Sequence, residues 1–204
     1  MLPARVSDEG TLARICVFCG SSAGEHPAYL EAATRLGGLL ASEGIELVYG
    51  GARVGVMGRL ADSVLEAGGR VTGVIPGVLM NREVAHQELT DLRVVRSMHD
   101  RKAEMAELAD AFMALPGGLG TLEEFCEVLT WGQLGLHRKA CGLLDVGGFY
   151  QPLVRFLDHM VAEGFLSKSH RGIVLVERDP ERLLERIRSY EPPLVPRWID
   201  PGQT

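Results

Sequence analysis

Short apolar runs that do not alternate with polar residues, set between segments of helical period, are what most limits the fold of this chain. A strand covered on one face alternates apolar and polar side chains, whereas a strand covered on both faces does not. The runs 14–19, 45–49, 70–75, 92–95, 111–115, 140–144 and 173–176 are of the second kind. Segments 27–42, 56–67, 98–109, 122–136, 150–163 and 180–190 repeat their apolar residues at three- and four-residue intervals and are predicted helices. Strand and helix in succession give a parallel sheet with helices on both faces. Residues 12–190 are therefore read as one doubly wound α/β domain with a mainly parallel sheet of about seven strands. At 204 residues and 46% apolar, the chain can bury such a core. Residues 1–11 and the proline-rich 191–204 are read as loose termini.

Charge and cysteine usage exclude several classes. A net charge of −6 with no basic run argues against nucleic-acid binding. No apolar stretch reaches the roughly 18 residues of a membrane span, and the first ten residues lack the apolar centre of a signal peptide. Cytoplasmic location is the expectation. Cys16 and Cys19 have redox or zinc spacing but lie inside a strand run, and Cys126 and Cys141 do not form a second zinc pair. All four are read as buried free thiols of a reducing compartment.

In a sheet of this kind, ligands bind beyond the carboxyl ends of the strands. That rule selects the loops at Gly20-Ser21, Gly50-Gly51, Pro76 to Glu88, Ser97-Met98 and Pro116 to Gly120. In the last of these, Gly117, Gly118 and Gly120 stand between a strand and a helix. Glycines there let the backbone approach a ligand, and the unpaired N–H groups of a helix start suit a phosphate. The segment Thr121-Leu122-Glu123-Glu124 also fits a capping box, with Thr121 as N-cap and Glu124 three residues on. Arg101 and Lys102 begin another helix, where the helix dipole disfavours cations, so a bound anion or a carboxylate partner is expected. Glu83, taken alone, reads as a surface acid. No nucleophile elbow and no full dinucleotide fingerprint are present.

Together, Pro116-Gly117-Gly118-Leu119-Gly120-Thr121-Leu122-Glu123-Glu124 and Met98-His99-Asp100-Arg101-Lys102 resemble the paired motifs of the LOG (lonely guy) family of cytokinin riboside 5′-monophosphate phosphoribohydrolases. These proteins are often called lysine-decarboxylase-like. Tyr49-Gly50-Gly51, the 76–83 loop and Thr130-Trp131 are similar too. The resemblance implies a Rossmann-like fold that hydrolyses the N-glycosidic bond of a purine nucleoside 5′-monophosphate. The products are free base and ribose 5-phosphate, with no metal or organic cofactor. It implies a homodimer or higher oligomer, Arg101 and Glu124 as the catalytic pair, and Glu83, Lys102, Gly118 to Glu124 and Thr130 as substrate contacts. Gly20, Ser21, Gly50, Gly51, Met98 and Gly117 belong to loops facing the same space. Two rivals remain: a non-catalytic nucleotide or molybdenum-cofactor carrier of the same fold, and a pyridoxal-phosphate decarboxylase, for which only Lys102 of three lysines is near the loops.

Overall fold

In a computed structural model, which describes residues 12–80 and 85–193, all seven predicted strands form one parallel sheet. They are β1 (Arg14–Phe18), β2 (Glu46–Tyr49), β3 (Val71–Pro76), β4 (Asp91–Val95), β5 (Ala111–Ala114), β6 (Cys141–Leu144) and β7 (Val174–Glu177). Their spatial order is β4-β3-β2-β1-β5-β6-β7. The chain winds outward from β1 to β4, then crosses back to β5 and winds the other way. The direction reverses between β1 and β5, whose Ile15 to Phe18 pair with Ala111 to Ala114.

Strand residues alternate between two apolar layers. Ile15, Val17, Leu47, Tyr49, Ala111 and Met113 face one cluster, and Cys16, Phe18, Val48, Phe112 and Ala114 face the other. Helices α1 (Ala28–Ser42), α2 (Gly55–Glu66) and α7 (Pro180–Arg188) cover the first face through Leu36, Leu40, Leu60, Leu183 and Leu184. Helices α3 (Met98–Leu108) and α4 (Leu119–Gln133) cover the second through Met105, Phe125 and Val128, with α5 (Gln151–Ala162) adding Leu153 and Leu157. This two-sided burial is why the strand runs do not alternate in sequence. A one-turn helix, α6 (Lys168–Arg171), is too short for periodicity to reveal.

Three expectations are corrected. Helix α4 starts at Leu119 with Gly118 as N-cap and no side-chain cap, so Thr121 and Glu124 do not form a capping box. Its far end comes early because Gly135 takes a left-handed φ of 77°, with Leu136 N–H donating back to the Trp131 carbonyl at 2.9 Å. Cys126 is exposed on α4, while Cys16, Cys19 and Cys141 are buried. The ends predicted to be loose lie outside the described residues, apart from 191–193, which have no regular structure.

The loop between β5 and α4 is fixed from below. Leu115 donates its N–H to the Phe18 carbonyl at 3.0 Å, and its own carbonyl accepts from the Tyr150 hydroxyl at 2.6 Å. Asp145, fully buried at the end of β6, accepts from Tyr150 N–H at 2.7 Å and from the Gln151 side chain at 2.6 Å. Burial pushes the Tyr150 phenol well above its ordinary pKa, so it stays a donor. Tyr150→Phe keeps the ring packing but strands the buried Leu115 carbonyl, and should cost about 1–3 kcal/mol of stability in chemical melts. A wild-type melt would remove this strut from the account.

Candidate active site

Three loops meet above the β1–β5 reversal. Gly20 N–H donates to the Pro116 carbonyl at 3.2 Å, and Met57 N–H donates to the Gly20 carbonyl at 3.1 Å. An ideal Cβ on Gly20 would lie 3.2 Å from Gly117 Cα, and one on Gly117 would strike the Thr121 hydroxyl. Close approach of main chains explains glycine at both positions. A cleft of 230 Å³ opens here, between Gly20 to Gly24 on one side and Pro116 to Gly118 on the other. Tyr29 and Phe149, edge to face at 5.8 Å, form its aromatic wall. Above it, the first turn of α4 presents N–H groups that no helix carbonyl and no capping side chain satisfies. Free amides of this kind at a helix start can accept an anion.

The second half of the site is the pair Arg101 and Glu124. Ser97 caps α3 by accepting from Asp100 N–H at 3.1 Å, which fixes the helix start and places Arg101 one turn in. Arg101 is 6% exposed and Glu124 8%, with Nη2 and Oε1 3.6 Å apart. That is an ion pair without the close fork a guanidinium and a carboxylate can form. Arg101 Nη1 reaches only the Met98 sulfur, at 3.8 Å, and its buried Nε has no hydrogen-bond partner among the described residues. Buried polar atoms are ordinarily bonded, and Arg101 Nε is an exception among the described residues. The guanidinium occupies the space a side chain at position 50 would fill: a Cβ on Gly50 would collide with it and lie 2.6 Å from Met57 Cε.

Cys19 lies close enough to feel the charges of Glu124 and Arg101, but burial drives its thiol far above the ordinary value, which excludes it as a nucleophile at neutral pH. A larger groove of 780 Å³ runs between α3 and α4, past Lys102, Glu127, Trp131 and His137. The glycine loops do not line it. Among the described residues no group of three or more His, Cys, Asp or Glu can hold a metal ion. No described helix is long and apolar enough to cross a membrane.

The structure thus brings together Gly20, Ser21, Gly50, Arg101, Gly117, Gly118, Thr121 and Glu124, with Gly51 and Met98 beside them. Thr130 is exposed, donates to the Cys126 carbonyl at 2.8 Å and stands apart. Leu119 is 86% exposed and Leu122 37%. Lys102 is buried and bound to Glu123 at 2.5 Å and Glu127 at 3.0 Å. Glu83 lies outside the described residues. Tyr29, Phe149 and Tyr150 are absent from the sequence reading. The strand-end rule reaches the last two, since Asp145 to Tyr150 is the loop after β6.

The chain is also similar to proteins of known name. The family model described as "Possible lysine decarboxylase" matches residues 57–187. The Arabidopsis thaliana cytokinin riboside 5′-monophosphate phosphoribohydrolase LOG7 is 51% identical over 88% of this chain and 82% of its own. The LOG protein of the same description from Oryza sativa subsp. japonica is 49% identical over 88% and 74%. The chain belongs to the LOG family. Among solved structures, the molybdenum cofactor carrier protein of Chlamydomonas reinhardtii superposes with a TM-score of 0.66 at 22% identity, over 88% of this chain and 98% of its own. At that identity the likeness shows the fold alone.

Gly50→Ala tests how the pair is held. The flexible end of Arg101 gives way first, so overpacking should cost about 1–3 kcal/mol or less while the guanidinium moves off Glu124. A crystal structure of the variant with the pair unmoved would contradict this reading.

Proposed function

We propose that this LOG-family chain hydrolyses the N-glycosidic bond of a purine nucleoside 5′-monophosphate, a cytokinin riboside monophosphate or AMP, to the free base and ribose 5-phosphate. The observation that carries the reading is Arg101: a buried guanidinium with unused donors, facing a buried carboxylate beside an uncapped helix start. The 5′-phosphate sits on the amides of Gly117 to Thr121, and that remote binding energy positions the ribose. As the base departs with the electrons of the C1′–N bond and takes up a proton from solvent, positive charge develops on the ribose. The Glu124 carboxylate stabilises that charge and takes the proton of the water that adds to C1′. Arg101 steadies Glu124 and supplies donors to substrate oxygens. A cytoplasmic homodimer belongs to the same proposal. Light scattering at twice the 22.2 kDa chain mass would support the dimer, and a single-chain mass would reject it.

A pyridoxal-phosphate site does not fit these residues. A Schiff-base lysine needs a lowered pKa. Burial pulls the Lys102 ammonium down, but its bonds to Glu123 and Glu127 outweigh that and leave it above the ordinary lysine value. Lys139, which burial does lower, enters β6 from the amino end, opposite the glycine loops.

The test is release of free base from AMP and isopentenyladenosine monophosphate compared with their nucleosides. The monophosphates should react far faster, and equal rates would contradict the phosphate anchor. Glu124→Gln keeps the side-chain shape but removes the charge, and turnover of the folded variant should fall by roughly 10²–10⁴-fold. Arg101→Lys keeps the charge but not the planar fork, and turnover should fall by about 10²-fold or more. A folded variant of either kind with normal turnover would remove that residue from the mechanism.

A further inference from the structure

Lys102 directly follows Arg101, and the two side chains meet different acids. Arg101 faces Glu124, whereas the Lys102 ammonium lies between Glu123 at 2.5 Å and Glu127 at 3.0 Å. Glu123 and Glu127 are four residues apart on α4, a spacing at which like charges repel. An ammonium between them removes that repulsion and ties both to α3. The Lys102 side chain is 9% exposed and Glu127 25%, whereas Glu123 is 55% exposed, so the bridge is shielded on the lysine and Glu127 side and open to solvent at Glu123. Lys102 and Glu127 themselves line the 780 Å³ groove between α3 and α4, with Ala103, Ala106 and Trp131. Long charged side chains therefore span a gap that apolar packing does not close.

Two consequences follow from charge. The ammonium and its two carboxylates sum to one negative charge, which repels a phosphate. Two of the three ammonium donors are already used. By contrast, the neighbouring Arg101 is under-bonded.

We propose that Lys102 is a positioning residue: its bridge to Glu123 and Glu127 holds α4 to α3 and sets the spacing of Arg101 and Glu124, and it does not bind the nucleotide's phosphate. This rests on the reading of Arg101 and Glu124 as the reacting pair. It predicts a loss in kcat, not in KM, when the bridge is cut, and a recovery when the bridge is rebuilt with reversed charges.

The experiment compares the wild type with Lys102→Met, Lys102→Glu, and the triple variant Lys102→Glu, Glu123→Lys, Glu127→Lys. Base release from AMP gives kcat and KM. Titration calorimetry with inorganic phosphate gives anion binding without catalysis. Both single variants should lose roughly 100-fold in kcat with KM and phosphate affinity near wild type, and the triple variant should regain most of the kcat. A folded triple variant no better than Lys102→Glu would overturn the bridge. If the triple variant does not fold, Lys102→Met decides: retained phosphate binding with reduced kcat supports the proposal, and lost phosphate binding overturns it. A wild type that releases no base from any nucleotide would instead refute the proposed function. Phosphate titration of Lys102→Met would then still decide whether Lys102 binds the anion.

Discussion

A guanidinium and a carboxylate, both buried and 3.6 Å apart, are the constraint around which this site is arranged. Removing two charges from water is costly, and their attraction offsets the cost only with good geometry and further hydrogen bonds. Here the geometry is loose and Arg101 Nε is unpartnered among the described residues. Such an arrangement is poor as a device for stability. It makes sense as preorganised electrostatics, with donors held in place before the substrate arrives.

The fold supplies the precision. Arg101 is placed by α3 and its Ser97 cap, Glu124 by α4, and the room for the guanidinium by the missing side chain of Gly50 at the end of β2. The β5–α4 glycine loop is locked by main-chain bonds to β1 and by the Tyr150 strut from the β6 side. Five elements thus meet near the winding reversal, where parallel α/β sheets bind their ligands. Because each support is separate, each can be cut without removing the reacting groups.

Much of this was legible in the sequence because it depends on local pattern. Non-alternating strand runs revealed a sheet covered on both faces, and strand-end glycines revealed the loops. What failed was the start of α4. Thr121 with Glu124 satisfies the letter pattern of a capping box, but the helix begins three residues earlier, at Leu119, on the uncapped Gly118. That choice leaves amide groups for an anion and moves Glu124 into the second turn, facing Arg101. Pairings across elements were also invisible: nothing in spacing shows that Lys102 meets Glu123 and Glu127, or that Tyr150 holds Leu115. Such contacts depend on helix placement in three dimensions.

The central claim is that one anchored ribose phosphate faces the Arg101–Glu124 pair. A crystal structure of the protein with ribose 5-phosphate tests it most directly. The phosphate should lie on the amides of Gly117 to Thr121, with C1′ of the ribose within contact distance of the Glu124 carboxylate and an Arg101 donor on the ligand. A phosphate bound instead in the groove between α3 and α4, or a ribose turned away from Glu124, would contradict it.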